Sequence, residues 1–116
     1  MADMTPAQAT VLHDLMSYTD TDAMAWEPIV QGARRRTLHH DDAGQRILMV
    51  QWDAGFALSY RDEHHYDEFL YILEGDFVDQ NQSSGPGTFI HNAPGSAHQP
   101  CTTNGVTFLA FISPRR

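Results

Sequence analysis

The sequence contains no lysine, a single cysteine and no long apolar run. All seven basic residues are arginines, which excludes a lysine Schiff base and the lysine of a phosphate-binding P-loop. With one cysteine, Cys101, the chain can form neither an internal disulfide framework nor a zinc site made only of cysteines. No segment approaches the ~20 apolar residues that a membrane span needs. The N-terminus also lacks the basic and apolar regions of a signal peptide, so we expect a cytoplasmic protein without a membrane partner.

Positive charge is scarce as well. The chain has 15 acidic residues against 7 arginines, a formal net charge of −8, and its only basic cluster is Arg34-Arg35-Arg36. Because nucleic-acid binding depends on clustered cations, we expect no nucleic-acid partner. The length of 116 residues allows one domain, and the hydrophobic fraction of 41% is ordinary for a folded protein.

The pattern of apolar residues divides the chain into an N-terminal arm, residues 1–20, and a β-rich domain, residues 21–116. Within the arm, residues 7–18 carry one apolar stripe and are compatible with a short helix, or with an arm that packs on the domain or on a partner subunit. From Trp26 onward, short runs alternate with turn residues, which is typical of an all-β sandwich or closed barrel. We predict eight strands, near residues 34–38, 45–53, 56–62, 68–74, 76–79, 87–91, 97–102 and 106–113. Asn104-Gly105, between the last two, predicts a hairpin.

Residues able to bind a metal cluster at 62–68 and again at His98. On a strand, residues i and i+2 share a face, so Asp62 and His64 would point together, and Glu68 opens the next strand. Facing residues of an antiparallel pair lie about 4.5–5.5 Å apart, close enough to converge on one ion. From spacing alone the cluster fits either a metal site or a solvated turn. We interpret His91 as a turn cap and Cys101 as a small buried side chain.

Two segments in this part of the chain resemble the two motifs of the cupin superfamily (RmlC-like proteins). His64-x3-Glu68-x6-Gly75 matches the end of the first motif, and Gly87-x5-Ala93-Pro94-Gly95-x2-His98-x3-Thr102 approximates the second, which ends in asparagine where this chain has Thr102. In detail the chain is most similar to cupins related to the ChrR anti-sigma-factor domain and to acetylacetone-cleaving dioxygenase, through segments such as Leu70–Phe77 and Pro94–His98. The resemblance covers about residues 25–113. It implies a single-domain antiparallel β-barrel, or jelly roll, with a short N-terminal arm, and a homodimer.

The resemblance also implies a divalent metal ion, Fe(II), Zn, Mn or Ni, held by Asp62, His64, Glu68 and His98. Asp62 occupies the position where the family has a histidine, which leaves three alternatives open. Either Asp62 is itself the fourth ligand, or it is too short and leaves a 2-His-1-carboxylate set with open positions, or His65 replaces the missing histidine.

The implied function is a metal-dependent dioxygenase acting on a small diketone-like carbonyl compound. The main alternative is a non-catalytic sensory cupin, similar to ChrR, that binds a metal or small molecule. A sugar or acid isomerase or lyase that uses the ion as a Lewis acid is a third interpretation. In each case the expected partner is a small-molecule ligand or substrate.

Overall fold

The computed structural model describes Asp3, Thr5, Pro6 and residues 15–114. Within these residues the chain forms a short 3-10 turn and ten strands, which confirms the all-β prediction. The 3-10 turn is Thr21–Ala23, and the strands are β1 (Glu27–Val30), β2 (Ala33–His40), β3 (Arg46–Trp52), β4 (Asp62–Glu63), β5 (Glu68–Gly75), β6 (Phe77–Val78), β7 (Ser83–Ser84), β8 (Phe89–Asn92), β9 (Ala97–His98) and β10 (Val106–Ile112). Most of the predicted arm and of the helix at 7–18 lies outside the described residues, and residues 15–18 are not helical.

The strands form an antiparallel jelly roll of two layers. One layer is a six-stranded sheet in the order β1-β2-β3-β10-β5-β8. The other layer consists of the pairs β4-β9 and β6-β7, which are joined where Cys101 bridges to Ala57 on one side and to Val78 on the other. Among the described residues the hydrogen bonding does not close into a barrel, so β1 and β8 remain edges of the large sheet.

Seven of the eight predicted strands are present at the expected places, with shorter bounds for several of them. The exception is residues 56–62, where the chain is largely irregular and forms strand only from Asp62 onward. Two strands were not predicted: β1, where Pro28 interrupts the pattern, and the two-residue β7. Within the described residues no helix is long and apolar enough to cross a membrane.

The predicted hairpin at Asn104-Gly105 is wrong. The strand that follows, β10, pairs with β3 and β5, whereas β9 pairs with β4 in the other layer. Asn104-Gly105 therefore lies in a connection between the two layers. The Asp76 carboxylate shapes this connection by accepting hydrogen bonds from the backbone N–H groups of Thr103 and Asn104 and from the Thr102 hydroxyl, at 2.8–3.1 Å. Turn residues in the sequence specify a local bend. They do not specify which strand the following segment pairs with.

Gly75, the last residue of β5, is required by its backbone conformation and by a close contact. Its φ of +83° is in the left-handed region, and a Cβ atom built there would lie 1.9 Å from the Gly105 carbonyl oxygen. The chain can therefore pass from the large sheet into β6 only with glycine at this position.

The core between the layers is centred on three aromatic rings. Trp52 of β3, Phe77 of β6 and Phe108 of β10 have ring centroids 5.3–5.6 Å apart. Phe77 is only 2% exposed and its ring also contacts that of His98, with centroids 5.9 Å apart. The core therefore continues directly to the histidine that the second motif identifies.

Candidate metal centre

Three chain segments bring the predicted ligands together. In the β4-β9 pair, Asp62 lies directly opposite His98. His64 follows β4, and its backbone is held to the β8-β9 connection by hydrogen bonds with Ser96 and Gly95, at 2.9 and 2.8 Å. Glu68 is the first residue of β5 in the other layer. The sequence argument placed Asp62 and Glu68 on neighbouring paired strands, but β4 pairs with β9, so the site lies between the layers.

The four side chains Asp62, His64, Glu68 and His98 offer ligand atoms that all lie within 4.8 Å of one another. The two histidine Nε2 atoms are 3.1 Å apart. Two nitrogen ligands that bind one ion at ~2.0–2.1 Å lie about 2.8–3.4 Å apart, for ligand angles between about 90° and 109°. Asp62 Oδ2 is 4.0 Å from His64 Nε2, and Glu68 Oε1 is 3.8 Å from His64 Nδ1. The donor set fits a small divalent ion such as Zn, Fe(II) or Mn.

Two further residues orient these side chains, and the sequence reasoning did not identify either of them. Asp79, just after β6, has Oδ2 3.3 Å from His98 Nδ1. Because an ionised carboxylate only accepts, this contact places the His98 proton on Nδ1 and leaves Nε2 free to bind. Asn92, at the end of β8, donates from Nδ2 to Glu68 Oε1 at 3.2 Å. Neither residue is part of the motif spacing, and only the packing of the two layers brings them to the site.

Burial separates the two carboxylates. His64 and His98 are buried, with 7% and 6% exposed, and the Glu68 side chain is 21% exposed against 37% for Asp62. Burial raises the pKa of the Glu68 carboxyl, an effect that the nearby His64 and the hydrogen bond from Asn92 partly offset. A cation among these groups would stabilise the ionised form of Glu68 in its desolvated position.

The remaining candidates lie outside the cluster. His65 is exposed and its ring lies edge-on to Tyr66, so the structure does not bring it to the other ligands. His91 is an exposed residue within β8, with Nε2 2.8 Å from Asp67 Oδ1 and its ring stacked on Phe69. The interpretation of His91 as a turn cap is therefore wrong. Cys101 is a half-buried free cysteine at the bridge within the smaller layer.

An apolar cavity of about 670 Å³ adjoins the site. Asp62, Glu68 and His98 form part of its wall. Most of the remaining wall is aliphatic or aromatic and comes from the inner face of the large sheet and from residues 55–60. The ligand cluster is therefore accessible from the inside of the jelly roll.

Known structures share this fold at low sequence identity. KdgF from Halomonas sp. is 20% identical with a TM-score of 0.74, over 86% of this chain and 96% of that one. ChrR in complex with SigE from Rhodobacter sphaeroides is 17% identical with a TM-score of 0.70, over 97% and 69%. A candidate acetylacetone dioxygenase from Methylibium petroleiphilum is 14% identical with a TM-score of 0.76, over 84% and 76%. These similarities concern the fold.

No curated protein sequence shows a significant match. A family profile described as the ChrR cupin-like domain matches residues 15–115, which is most of the chain and includes both motifs. The fold, the motif spacing and this match agree with one another. The chain therefore belongs to the ChrR cupin-like family of RmlC-like cupins.

Proposed function

We propose that this cupin binds a divalent metal ion through His64, Glu68 and His98, with Asp62 as a fourth group, and acts as a dioxygenase on a small diketone-like carbonyl compound. The observation that carries the proposal is the convergence of these four donors, three of which, Asp62, Glu68 and His98, form part of the wall of an apolar cavity. A largely buried cluster of this kind, open to a mostly apolar cavity, is the arrangement expected of a site that binds a ligand at its ion.

When bound, the ion would supply Lewis-acid polarisation of carbonyl oxygens and, if it is redox-active, activation of O₂. The protein's own contribution is positional. Asp79 holds the His98 ring so that Nε2 points to the site, and Asn92 holds the Glu68 carboxylate. The apolar wall excludes water from the reacting carbonyl compound and strengthens its electrostatic interactions with the charged groups at the site.

Whether Asp62 binds the ion determines whether a coordination position remains open for a substrate. Its side chain is the most exposed of the four and is part of the cavity wall, where a ligand would approach. Asp62→His, which restores the family's usual residue, separates the cases by competition titration of Mn and Zn. If Asp62 is a ligand, we expect retained metal and a shift from Mn towards Zn, because one anionic oxygen is replaced by imidazole. If it is not, the histidine adds a ligand, so that metal affinity rises and oxygenase activity falls.

The proposed function is tested by elemental analysis of protein purified without a metal-chelating column, followed by O₂ uptake of the Fe(II)-loaded protein with 2,4-pentanedione. We expect one ion per chain and O₂ uptake that depends on the diketone. Protein that holds no redox-active metal and consumes no O₂ with any diketone would contradict the proposal.

A second candidate is a sensory metal-binding cupin, favoured by the four protein donors within 4.8 Å. Four protein ligands saturate a tetrahedral zinc ion and leave no position for a substrate. X-ray absorption spectroscopy of the metal-loaded protein distinguishes the two functions. A closed four-ligand zinc site supports the sensor, whereas a site with exchangeable water ligands supports the enzyme.

Two proposals concern the protein as a whole. We propose that it forms a homodimer, supported by the exposed edges of the large sheet and by the apolar side chains of Leu15, Met16 and Tyr18, which are 57–79% exposed. A cytoplasmic location also stays a prediction, and the free thiol of Cys101 is compatible with it.

A further inference from the structure

We propose that the ligand of this site is an uncharged compound whose oxygen-bearing head binds at the metal centre and whose apolar substituent, at least the size of a phenyl ring, fills the cavity and reaches its rim. The inference rests on the proposed function and deepens it by naming the ligand class. It follows from the charge, the volume and the entrance of the cavity.

Charge in the cavity is confined to one end. Asp62, Glu68 and His98 are the only acidic or histidine side chains among the described residues of its wall, and no arginine is among them. A ligand with a carboxylate or phosphate on its distal part would lie against an apolar wall with no cation to pair with, which costs free energy. The cavity therefore disfavours sugar acids and phosphosugars and favours an uncharged ligand.

The volume exceeds what a small diketone needs. Cavities of about 300–1,000 Å³ are typical of drug-sized ligands, and the 670 Å³ here lie within that range. Beyond the metal centre the space is bounded by side chains such as Leu70, Phe108 and Trp52. A ligand that occupied only the metal end would leave this apolar surface in contact with water. An apolar substituent would cover it and gain the free energy of burial.

The entrance is apolar as well. Ile29 and Val30 of the edge strand β1 and Tyr60 of the opposite segment are 45%, 56% and 59% exposed, and all three belong to the wall of this cavity. Exposed side chains that also belong to a cavity wall lie where the cavity meets the surface, so these three residues give the rim an apolar character. This rim extends the apolar path from the metal centre to the surface, so a substituent can run along the whole cavity.

The test measures the affinities of a series of ligands through the quenching of Trp52 fluorescence. The Trp26→Phe variant is used, so that Trp52 is the only tryptophan. Trp52 is part of the cavity wall and is 7% exposed. With metal-loaded protein, we expect 1-phenyl-1,3-butanedione to bind at least tenfold more tightly than 2,4-pentanedione, and D-galacturonate not to compete. Equal affinity of the two diketones, or tighter binding of the galacturonate, would overturn the inference.

Two variants and their controls localise the effect. Ala110→Leu fills space inside the cavity, and Val30→Asn makes the rim polar at an exposed position that does not endanger folding. Both should reduce the ratio of the two diketone affinities at least fivefold, and the metal content of each variant checks that the metal centre still forms. Ala54→Leu and Leu73→Asn make the same changes outside the cavity wall and should have no effect. An unchanged phenyl advantage in Val30→Asn and Ala110→Leu would refute the proposed path.

A metal-independent probe separates this inference from the proposed function. Butylbenzene has no carbonyl group and should quench Trp52 fluorescence in metal-free protein as well. If butylbenzene binds and no metal does, the assignment of the cavity to an uncharged apolar group survives, whereas the proposed function and the binding of the ligand's head at a metal fail. If metal and 2,4-pentanedione bind but the phenyl group adds nothing, the proposed function survives and the ligand class is wrong.

Discussion

At the residue scale, the site depends on how each histidine is held. His98 has its Nε2 3.1 Å from that of His64, its Nδ1 beside Asp79 and its ring against Phe77. Its orientation is thus determined from three sides before any ion binds, which lowers the entropic cost of forming the site. His91 is also part of a carboxylate pair but lies exposed on β8.

His98 and His91 provide a matched test of the ligand assignment, because each contacts a carboxylate but only His98 belongs to the cluster. We expect His98→Ala to reduce metal occupancy by at least tenfold, because it removes a donor from the buried cluster. His91→Ala should leave occupancy unchanged, since the described cluster does not include it. Elemental analysis of both variants after dialysis gives the comparison, and equal occupancy in the two would refute the assignment.

Asp79 is predicted to act on the metal through His98. Asp79→Asn removes the negative charge that favours the Nδ1–H tautomer, and loss of such a partner typically lowers metal affinity by about 10–100-fold. Competition with a chromogenic chelator measures the change. The Asp41→Asn variant is the control, because Asp41 contacts the exposed His39 in a similar pair away from the cluster. A similar loss of metal affinity in both variants would mean that it results from the lower negative charge of the protein and not from the orientation of His98.

At the scale of the elements, the connections between the two layers decide which strands meet. Asp76 follows β5 and organises the connection that carries the chain from β9 to β10. Thr102, where the second cupin motif has asparagine, contributes through its hydroxyl and is 3% exposed. Threonine in place of the motif's asparagine is therefore compatible with a connection held by Asp76.

Hydrogen bonds from the backbone of Asn104 and Thr103 lower the pKa of the Asp76 carboxyl below its usual value of 3.8. A carboxyl whose pKa is lower in the folded state stabilises the fold fully above its unfolded pKa, and this contribution is lost as the pH falls through the folded pKa. We therefore expect Asp76→Asn to lower the free energy of unfolding at pH 7, and the difference from wild type to shrink below about pH 4. Urea denaturation between pH 3 and pH 7 measures it.

Asp42→Asn is the control for Asp76→Asn, because it removes one negative charge at an exposed turn position. Its difference from wild type should stay constant over the same pH range. A constant difference for Asp76→Asn as well would show that its carboxylate does not stabilise the connection through the charge.

At the scale of the whole molecule, two exposed apolar surfaces among the described strands are relevant to assembly and binding. One surrounds the cavity, and the other includes Phe89 of the edge strand β8, which is 61% exposed and stacks on Phe69. The open edges of the large sheet are templates for pairing with another chain unless they are covered. A symmetric pair of chains would cover such an edge and the apolar residues near it.

We expect a homodimer in solution, measurable by light scattering at micromolar concentration. Phe89→Lys places a charge on the exposed end of edge strand β8 and should shift the chain towards monomer if this edge is the contact. Leu73→Lys, on the inner strand β5 beyond its pairing with β8 and 36% exposed, controls for added charge on the same sheet. A monomeric wild-type chain at micromolar concentration would contradict the proposed dimer.

Much of the fold and of the site could be predicted from local sequence. Short apolar runs bounded by turn residues identify β3, β5 and β10, because runs of this length between turns are typical of strands with buried side chains. The four residues of the cluster followed from the two cupin motifs. Such spacing is informative because each ligand lies at or next to a strand end. The backbone geometry there depends mainly on residues that are near in sequence. Of the alternatives left open, the structure removes only His65 from the cluster.

Only the tertiary structure decided which strands are neighbours and which groups surround the ligands. β4 pairs with β9 and not with β5, and Asn104-Gly105 connects two layers, because pairing depends on how the layers pack and not on the turn residues. For the same reason Asp79 and Asn92 could not be predicted: they reach His98 and Glu68 from strands that are distant in sequence. The sequence alone thus determined the chemistry of the donors, and the packing of the two layers determined their convergence beside an apolar cavity.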